Sequence, residues 1–107
     1  MSGLHQRHPG IVGAALDTKV NCELIADNIH VDPAAQRILY HAKDGRNIIL
    51  VTDSMRAAGM GSGVFELGGQ EVTVRGTRAE LADGTLAGSV LAMNEAVRNF
   101  ARTTRAP

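Results

Sequence analysis

Tryptophan is absent and aromatic residues make up only 3% of the 107-residue sequence, so a core has to be assembled from Val, Ile, Leu, Ala and Met. With hydrophobic residues at 44%, that palette suits the interior of an α/β fold, where strands covered on both faces are aliphatic. Net charge is absent too. Eleven basic residues balance eleven acidic ones, which leaves no field to draw the chain to a polyanion or a charged membrane surface and argues against nucleic acid as a partner. Cysteine is scarce: Cys22 stands alone, which excludes an internal disulfide and leaves it the role of a small apolar residue. No apolar run approaches the length of a membrane span, so no membrane partner is expected. Residues 1–10, with His5, Arg7, His8 and Pro9, lack the apolar stretch of a secretory signal, and a cytoplasmic protein is the expectation. A chain this short amounts to one domain or less and buries a modest share of its surface.

What is present divides near Gly59. In residues 1–58, short apolar runs alternate with helical periodicity. Glu23 to Ala26 reads as a strand that runs out into Asp27, Asn28, Ile29 and His30. Asp32 before Pro33 supplies a cap and a first-turn proline, and Ala35, Ile38, Leu39 and Ala42 fall at i, i+3, i+4 and i+7, which predicts a one-sided helix stopped near Gly45. Asn47 to Val51 is an unalternating apolar run of strand length. Strand, helix and strand with short connections make a βαβ unit with parallel strands. Residues 59–107 have another texture: Val64 to Leu67, Gly68-Gly69 and Gln70 to Val74 predict a hairpin, with a third strand over Thr77 to Leu81. Asp83-Gly84 makes a further turn, Ser89 is expected to cap a helix with Val90, Met93, Val97 and Phe100 on its apolar stripe, and Arg102 to Pro107 are expected to fray.

In parallel α/β folds chemistry gathers at the C-terminal ends of the strands, which puts His30 and Asp53 under scrutiny. A carboxylate after a buried strand suits a general base, a metal ligand or a phosphoryl acceptor, and equally it caps a turn. Phosphoryl transfer falls behind, because Met55 stands where a second acid would be wanted. His30 can reach the same crevice as Asp53 if the strands are neighbours; His5, His8 and His41 have weaker claims. No His-x-His or His-Glu-x-x-His is written here, so no complete metal site is expected. Gly59, Gly61 and Gly63 lead into a strand rather than a helix, which removes the reason to read them as a phosphate loop. Leu86, Ala87 and Gly88, read as a glycine loop entering a helix capped by Ser89, offer free backbone N–H groups to a ligand.

Four segments in register carry a resemblance: Met1-Ser2-Gly3-Leu4 with Arg7-His8-Pro9-Gly10, Glu23-Leu24-Ile25-Ala26-Asp27-Asn28-Ile29-His30-Val31, Leu50-Val51-Thr52-Asp53, and Leu81-Ala82-Asp83-Gly84-Thr85-Leu86-Ala87-Gly88-Ser89. Together they resemble the C-terminal portion of the N-acetylglucosamine-6-phosphate deacetylases of the amidohydrolase superfamily. The resemblance implies a partial (β/α)-barrel, a β-hairpin segment from a small β-sandwich and a C-terminal helix, with barrel units over 1–58 and the hairpin, substrate loop and helix over 59–107. It implies removal of acetate from an amino-sugar phosphate, with Asp53 as the acid/base aspartate and His30, Arg7, Leu86, Ala87 and Gly88 as substrate contacts, Arg7 often acting in the family from a neighbouring subunit. It also implies a divalent metal of the zinc or iron class whose glutamate and histidine ligands lie upstream, so the isolated chain is expected to be inactive. Asn28 stands where the family often has glycine, and asparagine tolerates the left-handed backbone glycine would supply. Sheet edges left open are expected to pair with another chain, giving a homo-oligomer. The competing class is a non-catalytic fragment that binds sugar phosphate or only self-associates; an unrelated phosphate-binding α/β module is a third.

Overall fold

The computed structural model describes residues 2–107; Met1, which opens the first of the four resembling segments, lies outside the described residues. Strand β1 (Cys22–Leu24), helix α2 (Pro33–Ala42) and strand β2 (Ile48–Leu50) form the expected βαβ unit, with β1 and β2 parallel and Leu24 opposite Leu50. Backbone bonds beyond the ladder, from Cys22 N to Asn47 O at 2.8 Å and from Val51 N to Leu24 O at 3.0 Å, extend the pairing at both ends. Two parallel strands are too few to close a barrel.

Helix α2 begins as its sequence dictates: the Asp32 carboxylate accepts from Ala34 N at 2.7 Å and Pro33 occupies the first turn. It ends where Gly45, at φ +66°, donates its amide to Tyr40 O; a β-carbon there would press on the Tyr40 ring. The face it buries differs from the expected one. Gln36 and Lys43 are buried and Leu39 and Tyr40 half-buried, whereas Ala35, Ile38 and Ala42 are exposed, Ile38 at 58%. The rotation has a physical cause in the polar side chains. Lys43 Nζ donates to Thr18 O at 2.6 Å and to Val20 O at 2.9 Å, supplying donors to carbonyls just past helix α1 (Gly10–Asp17), and Gln36 does the same for the loop after β1.

Helix α1 itself is an element the periodicity did not reveal. Gly10 and Gly13 dilute its apolar signal and Pro9 precedes it with no side-chain cap. Half-buried Cys22 sits near its end, its thiol 3.8 Å from Ala15 O.

The second half is a four-stranded antiparallel sheet in the order β3 (Gly63–Leu67), β4 (Gln70–Arg75), β5 (Arg78–Glu80) and β6 (Leu86–Gly88). The β3–β4 turn needs its two glycines, since Gly68 and Gly69 both have positive φ, as a two-residue hairpin loop demands. Ala57, Val72, Val74 and Ala79 form its core, with Met55, Phe65, Leu81, Ala87 and Val90 packed against them.

Two expectations about the last segment are corrected. Helix α3 (Met93–Thr104) starts four residues after Ser89, with Ala92 at its N-cap and no side-chain cap. Ser89 is buried, its hydroxyl accepting from Leu91 N at 2.9 Å, so it serves a turn before the helix rather than the helix end. The helix also continues through Arg102 to Thr104, whose hydroxyl bonds to Phe100 O, instead of fraying. Its buried residues are Ala96 and Thr104, while Met93 and Val97 from the expected stripe are 48% and 53% exposed. Small side chains let α3 pack against α2, where Tyr40 and Phe100 meet edge to face at 5.9 Å.

Candidate functional site

Strand alternation sorts the βαβ unit into two faces. Leu24 and Ala26 are buried on the helix side, and Asn99 of α3 reaches Ala26 O at 3.0 Å. On the other face, Glu23, Ile25 and Val51 line an open depression together with Asp53. Asp53 thus follows the C-terminal end of β2 and lies with the residues of the helix-free face. Its carboxylate is exposed and makes no side-chain hydrogen bond among the described residues, which removes the turn-capping alternative.

The backbone at Asp53 has φ +45°, a left-handed conformation uncommon outside glycine and better tolerated by aspartate than by most residues. Pairing of the next two residues holds it there. Ser54 joins Ser89 in a parallel bridge, and Met55 N donates to Ser89 O at 2.8 Å. The segment Leu86, Ala87 and Gly88 is therefore brought beside the Asp53 turn, but as strand β6 paired with β5, not as the expected glycine loop into a helix. Strand pairing takes up backbone groups that a loop would have left for a ligand. Gly88 lies against Met55, its missing β-carbon 3.7 Å from the Met55 side chain.

His30 is held independently. Asp27, three residues beyond the end of β1, accepts at Oδ1 from Ile29 N and His30 N, each at 2.9 Å, and its Oδ2 lies 2.7 Å from His30 Nδ1. Burial pushes the Asp27 carboxyl up, but the two amide bonds and the imidazole together outweigh it and hold it below the usual aspartate range. Asn28, at φ +63°, takes the left-handed backbone its side chain was expected to tolerate. Fully buried Gln36 donates from Nε2 to Asn28 Oδ1 and Val31 O, both at 2.9 Å, while its Oε1 has no partner among the described residues. Neither Asp27 nor Gln36 stands out in the sequence; the signal that identifies Asp27 is an acid three residues before a histidine in a loop leaving a strand.

His30 is not among the residues lining the Asp53 depression, and no hydrogen bond joins the two side chains. Both lie beyond the C-terminal ends of neighbouring parallel strands. Arg7 stands at an exposed turn between His5 and His8, its amide bonded to His5 Nδ1 at 3.1 Å, and no hydrogen bond or ion pair among the described residues ties its guanidinium to His30, Asp53 or β6. Among the described residues, no group of three or more His, Cys, Asp or Glu is placed to hold a metal ion. No helix among them is long and apolar enough to cross a membrane.

No family model matches the chain. Individual proteins do. It is 54% identical over 106 residues to the N-acetylglucosamine-6-phosphate deacetylase of Bacillus subtilis, a match covering 97% of this chain and 26% of that protein. It is 48% identical over 105 residues to a putative N-acetylgalactosamine-6-phosphate deacetylase of Escherichia coli, covering 97% of this chain and 62% of the relative. The N-acetylglucosamine-6-phosphate deacetylase structure from Thermotoga maritima superposes with a TM-score of 0.92 at 41% identity, covering 99% of this chain and 30% of that one. A Mycobacterium smegmatis N-acetyl-D-glucosamine-6-phosphate deacetylase mutant, solved in complex with N-acetyl-D-glucosamine-6-phosphate, gives 0.91 at 31% identity, covering 100% of this chain and 29% of that one. By sequence and by fold, then, the chain is a homologue of part of the N-acetylglucosamine-6-phosphate deacetylases, spanning about a quarter of the Bacillus subtilis relative's length.

Proposed function

We propose that this chain carries the acid/base aspartate and part of the sugar-phosphate site of an N-acetylglucosamine-6-phosphate deacetylase, the hydrolase that yields glucosamine 6-phosphate and acetate. The observation that carries the reading is the position of Asp53: beyond the C-terminal end of β2, grouped with the face opposite the helices, its side chain making no hydrogen bond among the described residues. In a (β/α)-barrel that face looks into the barrel, and its C-terminal rim is where reacting groups converge. Here the β1-α2-β2 unit is a partial barrel of the amidohydrolase type.

Amide hydrolysis needs a base for the attacking water and a proton for the departing nitrogen, and one carboxylate at such a rim serves both in turn. Asp53 fills that role. His30 contacts the bound sugar phosphate, Arg7 offers a planar fork to its phosphate in the same or a neighbouring subunit, and Leu86, Ala87 and Gly88 line the sugar beside the Asp53 turn. A divalent metal of the zinc or iron class, which would polarise the carbonyl, has its ligands in sequence outside this chain. The protein acts in the cytoplasm on this reading, and an isolated chain binds ligand without turnover.

Titration with glucosamine 6-phosphate, followed by backbone amide NMR, tests it. Shifts confined to residues near His30, Asp53 and 86–88, weakened in His30→Ala, are the expected result; shifts elsewhere or none at all overturn it. Because relatives include an enzyme named for the galactosamine epimer, galactosamine 6-phosphate belongs in the same series.

A further inference from the structure

A carboxylate that is ionised offers only acceptors, so an imidazole nitrogen 2.7 Å away has to carry a proton. Oδ1 of Asp27 is already committed to two backbone amides, which leaves Oδ2 alone to face the ring and fixes the direction from which His30 is held. The pair is shielded: the side chains are 5% exposed for Asp27 and 23% for His30. The segment that carries them is clamped from two helices, by Asn99 of α3 on Ala26 O and by Gln36 of α2 on Asn28 and Val31. Neither clamp makes a hydrogen bond to the imidazole.

We propose that Asp27 is a positioning residue, which locks the neutral His30 ring as its Nδ1–H tautomer and presents Nε2 as the nitrogen available to a ligand. That the ligand is an amino-sugar phosphate rests on the reading given under Proposed function; the tautomer does not. A histidine that binds through one nitrogen is oriented by whatever holds the other, and an ionised carboxylate is the strongest such holder.

Asp27→Asn separates orientation from mere presence. The two backbone amides continue to require an oxygen at the Oδ1 site, so the amide nitrogen of the new side chain falls opposite His30 and donates to Nδ1. The proton then moves to Nε2, and the ring presents a donor where it had presented a lone pair. Long-range nitrogen–proton correlation spectra of imidazole-labelled protein at alkaline pH read this directly. Expected are a protonated Nδ1 in the wild type and a protonated Nε2 in Asp27→Asn, with the dissociation constant for glucosamine 6-phosphate raised about tenfold, the loss typical of removing such an orienting partner. A wild-type ring protonated at Nε2, or a variant whose tautomer is unchanged, overturns the proposal, and the wild-type spectrum alone decides if the variant does not fold. If both tautomers are as expected and the sugar phosphate leaves the His30 signals unmoved, the sugar-phosphate reading fails and the positioning role of Asp27 stands.

Discussion

Met55 N donates to Ser89 O at 2.8 Å, and through that bond the end of the parallel pair is joined to the end of the antiparallel sheet. Asp53 lies two residues before the donor and Gly88 one residue before the acceptor. Segments far apart in sequence are in this way held side by side, and the left-handed backbone of Asp53 is imposed by pairing on its C-terminal side.

That strain predicts a separation of stability from function. Asp53→Gly should leave the folding free energy within about 0.5 kcal/mol of wild type, because glycine adopts positive φ freely and no side-chain hydrogen bond is lost, at the expense of some unfolded-state entropy. Asp53→Val should lose about 1–3 kcal/mol, since a β-branched residue is poorly accommodated there. Urea denaturation checks both; a large loss in the glycine variant would restore a structural role for the carboxylate.

Lys43 is buried because it satisfies carbonyls, not acids. Lys43→Met keeps the apolar stem and removes two donors from Thr18 O and Val20 O, for an expected loss of about 1–3 kcal/mol. Thermal unfolding followed by circular dichroism measures it, and an unchanged midpoint would show that water takes over both carbonyls.

The lowered pKa of Asp27 gives a pH dependence whose sign is fixed. A carboxyl that is more acidic folded than unfolded adds stability above its unfolded pKa, roughly 3.9, and that increment disappears as pH falls through the folded value. Wild type should therefore lose stability below about pH 4 along a curve that Asp27→Asn lacks in part. Denaturation midpoints collected from neutral pH downward make the comparison; parallel curves would mean the amide and imidazole bonds do not favour the ionised form.

Apolar surface left open on α2, α3 and β2, at Ile38, Val97 and Ile49, predicts self-association through these faces and the adjoining sheet edges. Sedimentation velocity across a concentration series should show a weight-average mass that rises with concentration. A single species at monomer mass throughout would contradict it.

Much of the secondary structure was written locally. Asp32-Pro33 starts α2 and Gly45 stops it, Gly68-Gly69 turns the hairpin, and the apolar runs ending at Ala26 and Val51 pair as parallel strands. The site was legible only in outline, as an aspartate and a histidine following those strands. Asp27 escaped notice because its partners, two amides and a ring, converge only once the loop is folded.

Periodicity located the helices α2 and α3 but misjudged their faces. It counts apolar side chains, and in α2 the buried positions are decided by Gln36 and Lys43 answering carbonyls of other segments, a demand invisible along the helix itself. In the same way Ser89 reads as a cap next to a helical pattern, yet its neighbour across the fold is Ser54. The sequence alone determined β1, α2, β2 and the β3–β4 hairpin, because backbone preferences and turn chemistry act over a few residues. Only the tertiary structure decided which faces are buried, which backbone groups stay free and which ring nitrogen is held, because those depend on polar partners brought together from distant parts of the chain.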